Sequence, residues 1–153
     1  MLSMKAKYGL RALLFLARQS DQVPVLISEL AEKEGIPKKF LELILLDLKN
    51  HGILQSKKGK GGGYFLRRKP EAIKLGRVIR VLDGPLAPVP CVSQTAYIPC
   101  DECEDENTCG IRLVMKEVRD AIANILDNTS LADVIGKIDT VSVRQLEALM
   151  YHI

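Results

Sequence analysis

The 153-residue chain has no tryptophan, only two histidines, and no apolar run near the roughly 20 residues that a membrane-spanning helix needs. Basic residues are scattered through its first 19 positions, which is not the order of a secretory signal peptide. We therefore expect a cytoplasmic protein with no membrane partner. His51 and His152 suggest no nucleophile–base pair, so the sequence predicts neither an enzyme nor a small-molecule substrate.

Charge is distributed unevenly along the chain. Residues 1–80 contain 17 Lys and Arg against seven Asp and Glu, a net charge of +10, whereas residues 81–153 have a net charge of −7. A solvated charged face is the ordinary explanation of such a bias, but a basic half also suits a polyanionic partner. The distribution therefore indicates nucleic acid as a candidate partner.

The pattern of apolar residues predicts three helices in the first 50 residues. The first covers residues 4–19, and a short second helix, with Ser28 as its N-cap, runs through Glu34. Gly35 ends the second helix, and Pro37 suits the first turn of the third. The third helix has a buried stripe of apolar residues, namely Phe40, Leu41, Ile44, Leu45 and Leu48.

Two helices separated by so short a turn are typical of a helix-turn-helix. Lys38, Lys39 and Glu42 lie near the start of its second helix, where recognition helices present side chains to the major groove. Residues 53–58 and 64–68 then predict two strands joined by a glycine-rich turn. This hairpin is basic, and we interpret it as a wing that contacts DNA phosphates.

The predicted DNA contacts come from the helix-turn-helix and from the basic hairpin. A flexible hairpin with solvated lysines is the alternative for the wing, and a P-loop is excluded because the Gly-Lys-Ser/Thr ending is missing. The predicted contacts are Ser28, Lys38, Lys39, Glu42, Lys57, Lys58, Lys60, Gly61 and Gly62.

A long helix with a near-heptad apolar stripe is predicted after residue 110. The stripe could pack on its own domain, but DNA-binding modules usually read paired half-sites, so we favour a homodimer. Two short helices, over residues 130–135 and 143–151, are expected to fold back on the domain. The predicted dimerisation residues are Ile111, Val114, Met115, Val118, Ile122 and Ile125.

All four cysteines stand in the proline-containing segment before that helix: Cys91, Cys100, Cys103 and Cys109. In the cytoplasm, such a cluster is typical of metal ligands or redox groups rather than disulfides. The C-x-x-C spacing of Cys100 and Cys103 suits one metal or one cluster, but the other spacings match no standard motif. The acidic residues around the pair argue against a thioredoxin-like dithiol, which needs positive charge nearby. Structural zinc remains the alternative to a cluster.

These observations predict a mainly α fold with a small β-hairpin wing. We expect a winged helix-turn-helix domain over residues 1–83, a cysteine-rich loop over 84–110, a dimerisation helix over 111–128 and C-terminal helices over 129–153. Several motifs resemble the Rrf2 family of bacterial transcription regulators, and the similarity covers nearly the whole chain. They are residues 7–13 (KYGLRAL), 27–31 (ISELA), 35–42 (GIPKKFLE), 61–64 (GGGY) and 130–134 (SLADV).

The resemblance implies a homodimeric regulator that binds two half-sites of double-stranded DNA and often carries an iron–sulfur cluster. It implies that Glu42 helps to discriminate bases and that Lys58 and Lys60 flank the wing tip. By family frequency it favours a 2Fe–2S cluster over a 4Fe–4S cluster. Members of this family complete the ligand set of the cluster with a histidine or with an acidic residue. At the corresponding positions this chain has Arg112 and Tyr8. We therefore expect an all-cysteine site, with a partner-subunit ligand as the alternative.

Overall fold

The computed structural model describes residues 2–19 and 21–152, and no helix in this part of the chain could cross a membrane. Six α-helices and one hairpin make up these residues, so the fold is mainly α with a small β-hairpin, as predicted. The helices are α1 (Met4–Ala17), α2 (Ile27–Glu34), α3 (Lys38–Asn50), α4 (Leu75–Asp83), α5 (Gly110–Asp127) and α6 (Leu131–Tyr151), and the strands are β1 (Leu54–Lys57) and β2 (Gly63–Leu66).

The predicted turn between α2 and α3 is confirmed. Gly35 adopts a left-handed conformation with φ of 60° and ends α2, a conformation that costs glycine little because it has no Cβ. Pro37 immediately precedes α3. The predicted stripe of α3 faces the core: Leu41, Ile44, Leu45 and Leu48 are fully buried. Phe40 is half-buried against the Tyr8 ring of α1, with the ring centroids 5.7 Å apart.

The predicted N-cap of α2 is wrong. The helix begins at Ile27 with Leu26 at the cap position, which places Ser28 inside the first turn. The reason is tertiary: Val25 pairs with Tyr64 of β2 through two backbone hydrogen bonds of 2.9 Å. This pairing fixes the backbone just before Leu26, whose carbonyl accepts a hydrogen bond from Leu30 N. A local capping preference yields to this pairing.

The hairpin is antiparallel, with Leu54 opposite Leu66 and Lys57 opposite Gly63. Both strands are shorter than predicted. Strand β1 begins one residue late, because Ile53 N donates to Leu48 O of α3, and β2 begins at Gly63 but ends at Leu66. The pairing of Val25 with Tyr64 also ties the hairpin to the start of α2. The wing is therefore held against the helix-turn-helix by backbone bonds as well as by packing.

The two predicted C-terminal helices are in fact one continuous helix, α6. Ser130 caps it through a reciprocal capping box with Asp133, and Leu131 is fully buried. Within the helix, the hydroxyl groups of Thr140 and Ser142 donate to the carbonyls of Gly136 and Ile138 one turn earlier, so these side chains are satisfied without ending the helix. Residues 136–152 are exposed, so only the first turns of α6 fold back as expected.

Helix α5 joins the winged helix through its last turn. Arg80 of α4 donates two hydrogen bonds, of 2.6 and 2.9 Å, to the carboxylate of Asp127. Just beyond, Leu75 N donates to Thr129 O over 2.9 Å, and Leu131 N donates to Ile73 O over 3.0 Å. The C-terminal end of α5 is therefore fixed to α4 by a forked ion pair and a short backbone pairing.

This ion pair predicts a pH-dependent contribution to stability. Hydrogen bonding by Arg80 lowers the pKa of Asp127, so the pair stabilises the fold above the ordinary aspartate pKa, near 4, and the contribution is lost as the pH falls through the lowered value. Both side chains are partly exposed, so Asp127→Asn should lower the free energy of unfolding by only about 0.5–1 kcal/mol at pH 7. Urea unfolding at pH 7 and pH 3 measures the difference.

The matched control is Glu32→Gln on the exposed face of α2, which should change the free energy of unfolding by less than about 0.5 kcal/mol at either pH. An Asp127→Asn effect of equal size at both pH values would show that the carboxylate charge does not contribute.

Candidate DNA-binding surface and cysteine pocket

The predicted recognition residues lie on one exposed surface of α3. Lys38 and Lys39 occupy its first turn, Glu42 follows, and all three are exposed. The unpaired N–H groups at the start of a helix add to the attraction that the two lysines exert on phosphate. Ser28 is exposed on the first turn of α2, but no measured contact joins it to α3.

The wing presents Lys57, Lys58 and Lys60 to solvent around its turn. Gly61 is exposed beside them, whereas Gly62 is buried in the turn. A Cβ on Gly62 would collide with the carbonyl oxygens of Lys57 and Gly59. Glycine at this position therefore keeps the turn narrow, which holds the lysines together at its tip.

Tyr64 is the second residue of β2, close to the turn of the wing. Burial and the nearby charge of Glu42 raise the pKa of Tyr64, in that order of importance. The phenol therefore stays neutral at physiological pH, and the Glu42 carboxylate of α3 lies in its vicinity.

The four cysteines line one pocket of about 290 Å³ between the loop and the start of α5. Three of its other lining residues, Val89, Ile98 and Ile111, are apolar, and Glu106 and Arg112 complete its polar edge. The loop is shaped by a one-turn 3-10 helix at Pro90–Val92 and by a hydrogen bond from Ile98 N to Pro90 O. Cysteines separated along the sequence thus meet in space.

Two of the thiols influence each other's pKa. The neighbouring Cys109 thiol, followed by burial, raises the pKa of Cys103 to about 11. The pKa of Cys109 is lowered, first by the backbone N–H of Arg112 and then by the Cys103 thiol. Cys109 stands at the N-cap of α5, where free N–H groups favour a thiolate. Local sequence patterns do not predict this interaction, because it joins residues across the loop.

The pocket is not a ready-made metal site. Across residues 2–19 and 21–152, no group of three or more His, Cys, Asp or Glu side chains is placed to hold a metal ion. The thiols share a pocket, and Cys103 Sγ lies 4.0 Å from the carbonyl oxygen of Asp105. The pocket therefore gathers the thiols without placing them at metal-ligand geometry.

Two arginines of α5 hold the loop to the helix. Arg112 Nε donates to the carbonyl of Cys91 over 3.3 Å, and Arg119 donates to the carbonyl of Val92 over 2.6 Å. Arg112 also lies 3.8 Å from the carboxylate of Glu106. Sequence reasoning missed these contacts: an arginine on the polar face of an amphipathic helix gives no sign that it will bind a distant carbonyl.

The predicted dimerisation stripe lies on the surface of α5. Most of its residues are exposed in the single chain, and Ile111 and Ile125 at its two ends are 72% and 64% exposed. Met115 is half-buried. A surface helix normally turns such a stripe toward a core, whereas most of this stripe stays uncovered within the described part of the chain.

A helix-turn-helix followed by a basic hairpin defines a winged-helix DNA-binding protein. A family model described as an iron-dependent transcriptional regulator, Rrf2, matches residues 2–137. The chain belongs to the Rrf2 family, and is a DNA-binding transcriptional regulator.

Individual relatives agree with this assignment. The chain is 43% identical over 139 residues to an rrf2-like HTH-type transcriptional regulator of Rhodobacter capsulatus, with 89% of this chain and 93% of that protein covered. It is 32% identical over 152 residues to the HTH-type regulator CymR of Bacillus subtilis, covering 99% of both.

Solved structures give the same fold. The structure of B. subtilis CymR, described as the global cysteine regulator, matches with a TM-score of 0.74 and 31% identity, covering 90% of this chain and 97% of that one. The structure of T. potens IscR matches with a TM-score of 0.71 and 30% identity, covering 90% and 88%.

Proposed function

We propose that this regulator is a homodimer whose affinity for double-stranded DNA is controlled by an iron–sulfur cluster held by Cys91, Cys100, Cys103 and Cys109. The observation that carries the proposal is the meeting of all four cysteines in one pocket at the start of α5. The description of the family model as iron-dependent supports it.

The donor set and the pocket wall suit such a cluster. Thiolate sulfurs are the usual protein ligands of iron–sulfur clusters, which gain or lose single electrons when bound. Val89, Ile98 and Ile111 place apolar side chains beside the thiols. Family frequency favours a 2Fe–2S cluster over a 4Fe–4S cluster. Four cysteines make a partner-subunit ligand unnecessary.

A continuous set of contacts leads from the pocket to the DNA-binding domain. Cys109 occupies the N-cap position of α5, Arg112 and Arg119 bind the loop carbonyls, and Asp127 at the far end of α5 binds Arg80 of α4. Helix α4 packs on α1, where Leu82 lies against Gly9. A shift of α5 by 1–2 Å, a known mode of switching at helix interfaces, would therefore reach the winged helix.

Dimerisation through α5 would convert this shift of the helix into a change in DNA affinity. The exposed stripe of α5 is the surface that a second copy would bury, which fixes the distance between two recognition helices. Paired half-sites lie about 34 Å apart, or a multiple of it. If the pocket with the cluster and the pocket without it favour different dimer geometries, the cluster changes DNA affinity. This requires that the two dimer geometries bind DNA differently.

The test of this function compares DNA affinity with and without the cluster. Protein purified without oxygen is expected to be coloured and to contain iron and sulfide, and its dissociation constant for a selected DNA site should differ from that of the apo protein at the same salt concentration. Equal affinities would contradict control by the cluster while leaving DNA binding intact. A colourless protein with one zinc and no sulfide would indicate a structural clamp instead.

Single cysteine variants test the ligand set. Cys91→Ala, Cys100→Ala, Cys103→Ala and Cys109→Ala should each reduce the iron and sulfide content or change the visible spectrum, because every thiol lines the pocket. Tyr97→Phe, which removes a hydroxyl that bonds to Glu106 at the same loop, is the control and should leave the spectrum unchanged. If Cys100→Ala and Cys103→Ala both left the spectrum unchanged, the all-cysteine assignment would be wrong.

A further inference from the structure

Two leucines of α3 do not pack in the hydrophobic core. Leu43 and Leu46 are 61% and 45% exposed, although they alternate along the helix with fully buried residues. Leu41, Ile44, Leu45 and Leu48 already supply the apolar stripe. The recognition helix therefore carries two large apolar side chains on its solvent side.

These leucines share a face with the charged recognition residues. At 100° per residue, positions 39, 42, 43, 46 and 50 lie on the side of the helix opposite the buried stripe. All five are exposed. Leu43 follows Glu42 directly, and Leu46 lies one turn further on, so both project from the surface that begins with Lys39.

The neighbours of the leucines favour DNA over a protein partner. Lys38 and Lys39 precede them, and the wing lysines belong to the same basic half of the chain. The centres of protein–protein interfaces are depleted in lysine, so a patch bordered by lysines is a poor protein-docking surface. The major groove has negative phosphates along its edges and one apolar feature inside it, the 5-methyl group of thymine.

We infer that Leu43 and Leu46 are specificity-determining residues that read thymine by packing on its 5-methyl group in the major groove. The inference rests on the proposed contact of α3 with DNA. Each leucine would bury apolar surface against a methyl group that cytosine and uracil lack. Glu42, beside Leu43, is charged and accepts hydrogen bonds. It therefore does not compete with the leucines for the apolar methyl group of thymine.

The experiment starts from synthetic duplexes with about 30 random base pairs, long enough for two half-sites one helical turn apart. The wild-type protein selects its preferred sequence from this pool, and the selected duplex is then remade with each thymidine replaced in turn by deoxyuridine. Loss of one contacted methyl group should weaken binding roughly fourfold, the effect of one buried methyl-sized group. The penalty should fall at one or two thymines in each half-site.

Variants assign the penalty to the leucines. In Leu43→Ala, the deoxyuridine penalty at one of these thymines should disappear, and in Leu46→Ala it should disappear at the neighbouring one. Leu43→Gln should prefer a different base at its position. The control Leu113→Ala removes a leucine of α5 that is 50% exposed and should keep every penalty. Melting temperatures should remain close to wild type, because the removed side chains are exposed.

The outcomes distinguish the reading of thymine methyl groups by the leucines from the contact of α3 with DNA. Selection of a defined sequence without any deoxyuridine penalty would overturn methyl reading and leave DNA binding intact. Penalties that persist in both leucine variants would likewise assign the thymine contacts to other residues. Failure of the wild-type protein to enrich any sequence would contradict the DNA contact itself, and the inference with it.

Discussion

Replacing Lys57, Lys58 and Lys60 together by glutamine is expected to weaken DNA binding by at least about a hundredfold near physiological salt. The three lysines stand around the turn of the wing, all exposed, so each can approach a phosphate. Neutralising a phosphate releases condensed counterions, and this release makes binding steeply salt-dependent. The triple variant of a dimer lacks six such charges and should lower the slope of log affinity against log salt by about five.

The matched control removes positive charge elsewhere. Lys116 on α5 and Lys137 on α6 are exposed and lie outside the wing, so Lys116→Gln/Lys137→Gln should change the affinity by less than about tenfold and the salt slope by less than one. A salt slope that the wing variant leaves unchanged would show that the wing lysines are solvated. Equal weakening of specific and random DNA by the wing variant is expected, since phosphate contacts do not read sequence.

The helix-turn-helix was predictable because its signals are local. Gly35 and Pro37 determine the turn through their own backbone preferences, and the stripe of α3 follows from helical spacing. The glycine-rich hairpin was predictable for the same reason. Its strands were predicted too long, because local patterns do not show where tertiary hydrogen bonds replace the ladder.

Most of the errors and omissions involve distant residues. Ser28 failed as a cap because Val25 pairs with Tyr64, almost 40 positions away. The C-terminal helix is the local exception: a glycine and several β-branched residues weaken the apolar pattern, but the helix runs through them without a break. The clamps from Arg112 and Arg119 could not be foreseen, since their acceptors are backbone carbonyls of the loop.

The position of the pocket follows from these distant contacts. The sequence predicted that the cysteines act together, but it favoured the C-x-x-C pair as the centre of the site. In the structure the pKa values of Cys103 and Cys109 depend on each other, and Cys109 stands at the N-cap position of α5. The thiol chemistry is therefore coupled to the start of the helix that is proposed to mediate dimerisation, and not only to the loop.

The second large effect is expected at the dimer helix. Ile122→Asp should convert the protein to a monomer and weaken DNA binding by about a hundredfold or more, because a two-fold interface would bury the new carboxylate twice without a partner. Ile122 belongs to the C-terminal half of the stripe and is 36% exposed in the single chain. Sedimentation measures the mass, and titration of a selected DNA site measures the affinity.

Asn124→Asp is the matched control, because it adds the same charge two residues away on a polar face of α5. Asn124 is exposed, and its side-chain oxygen accepts a hydrogen bond from Asn128 that aspartate can also accept. This variant should remain dimeric and bind DNA like the wild type. An Ile122→Asp protein that stays dimeric would place the interface elsewhere on the molecule. A monomer with full affinity for both half-sites would show that the spacing of the recognition helices is not set by α5.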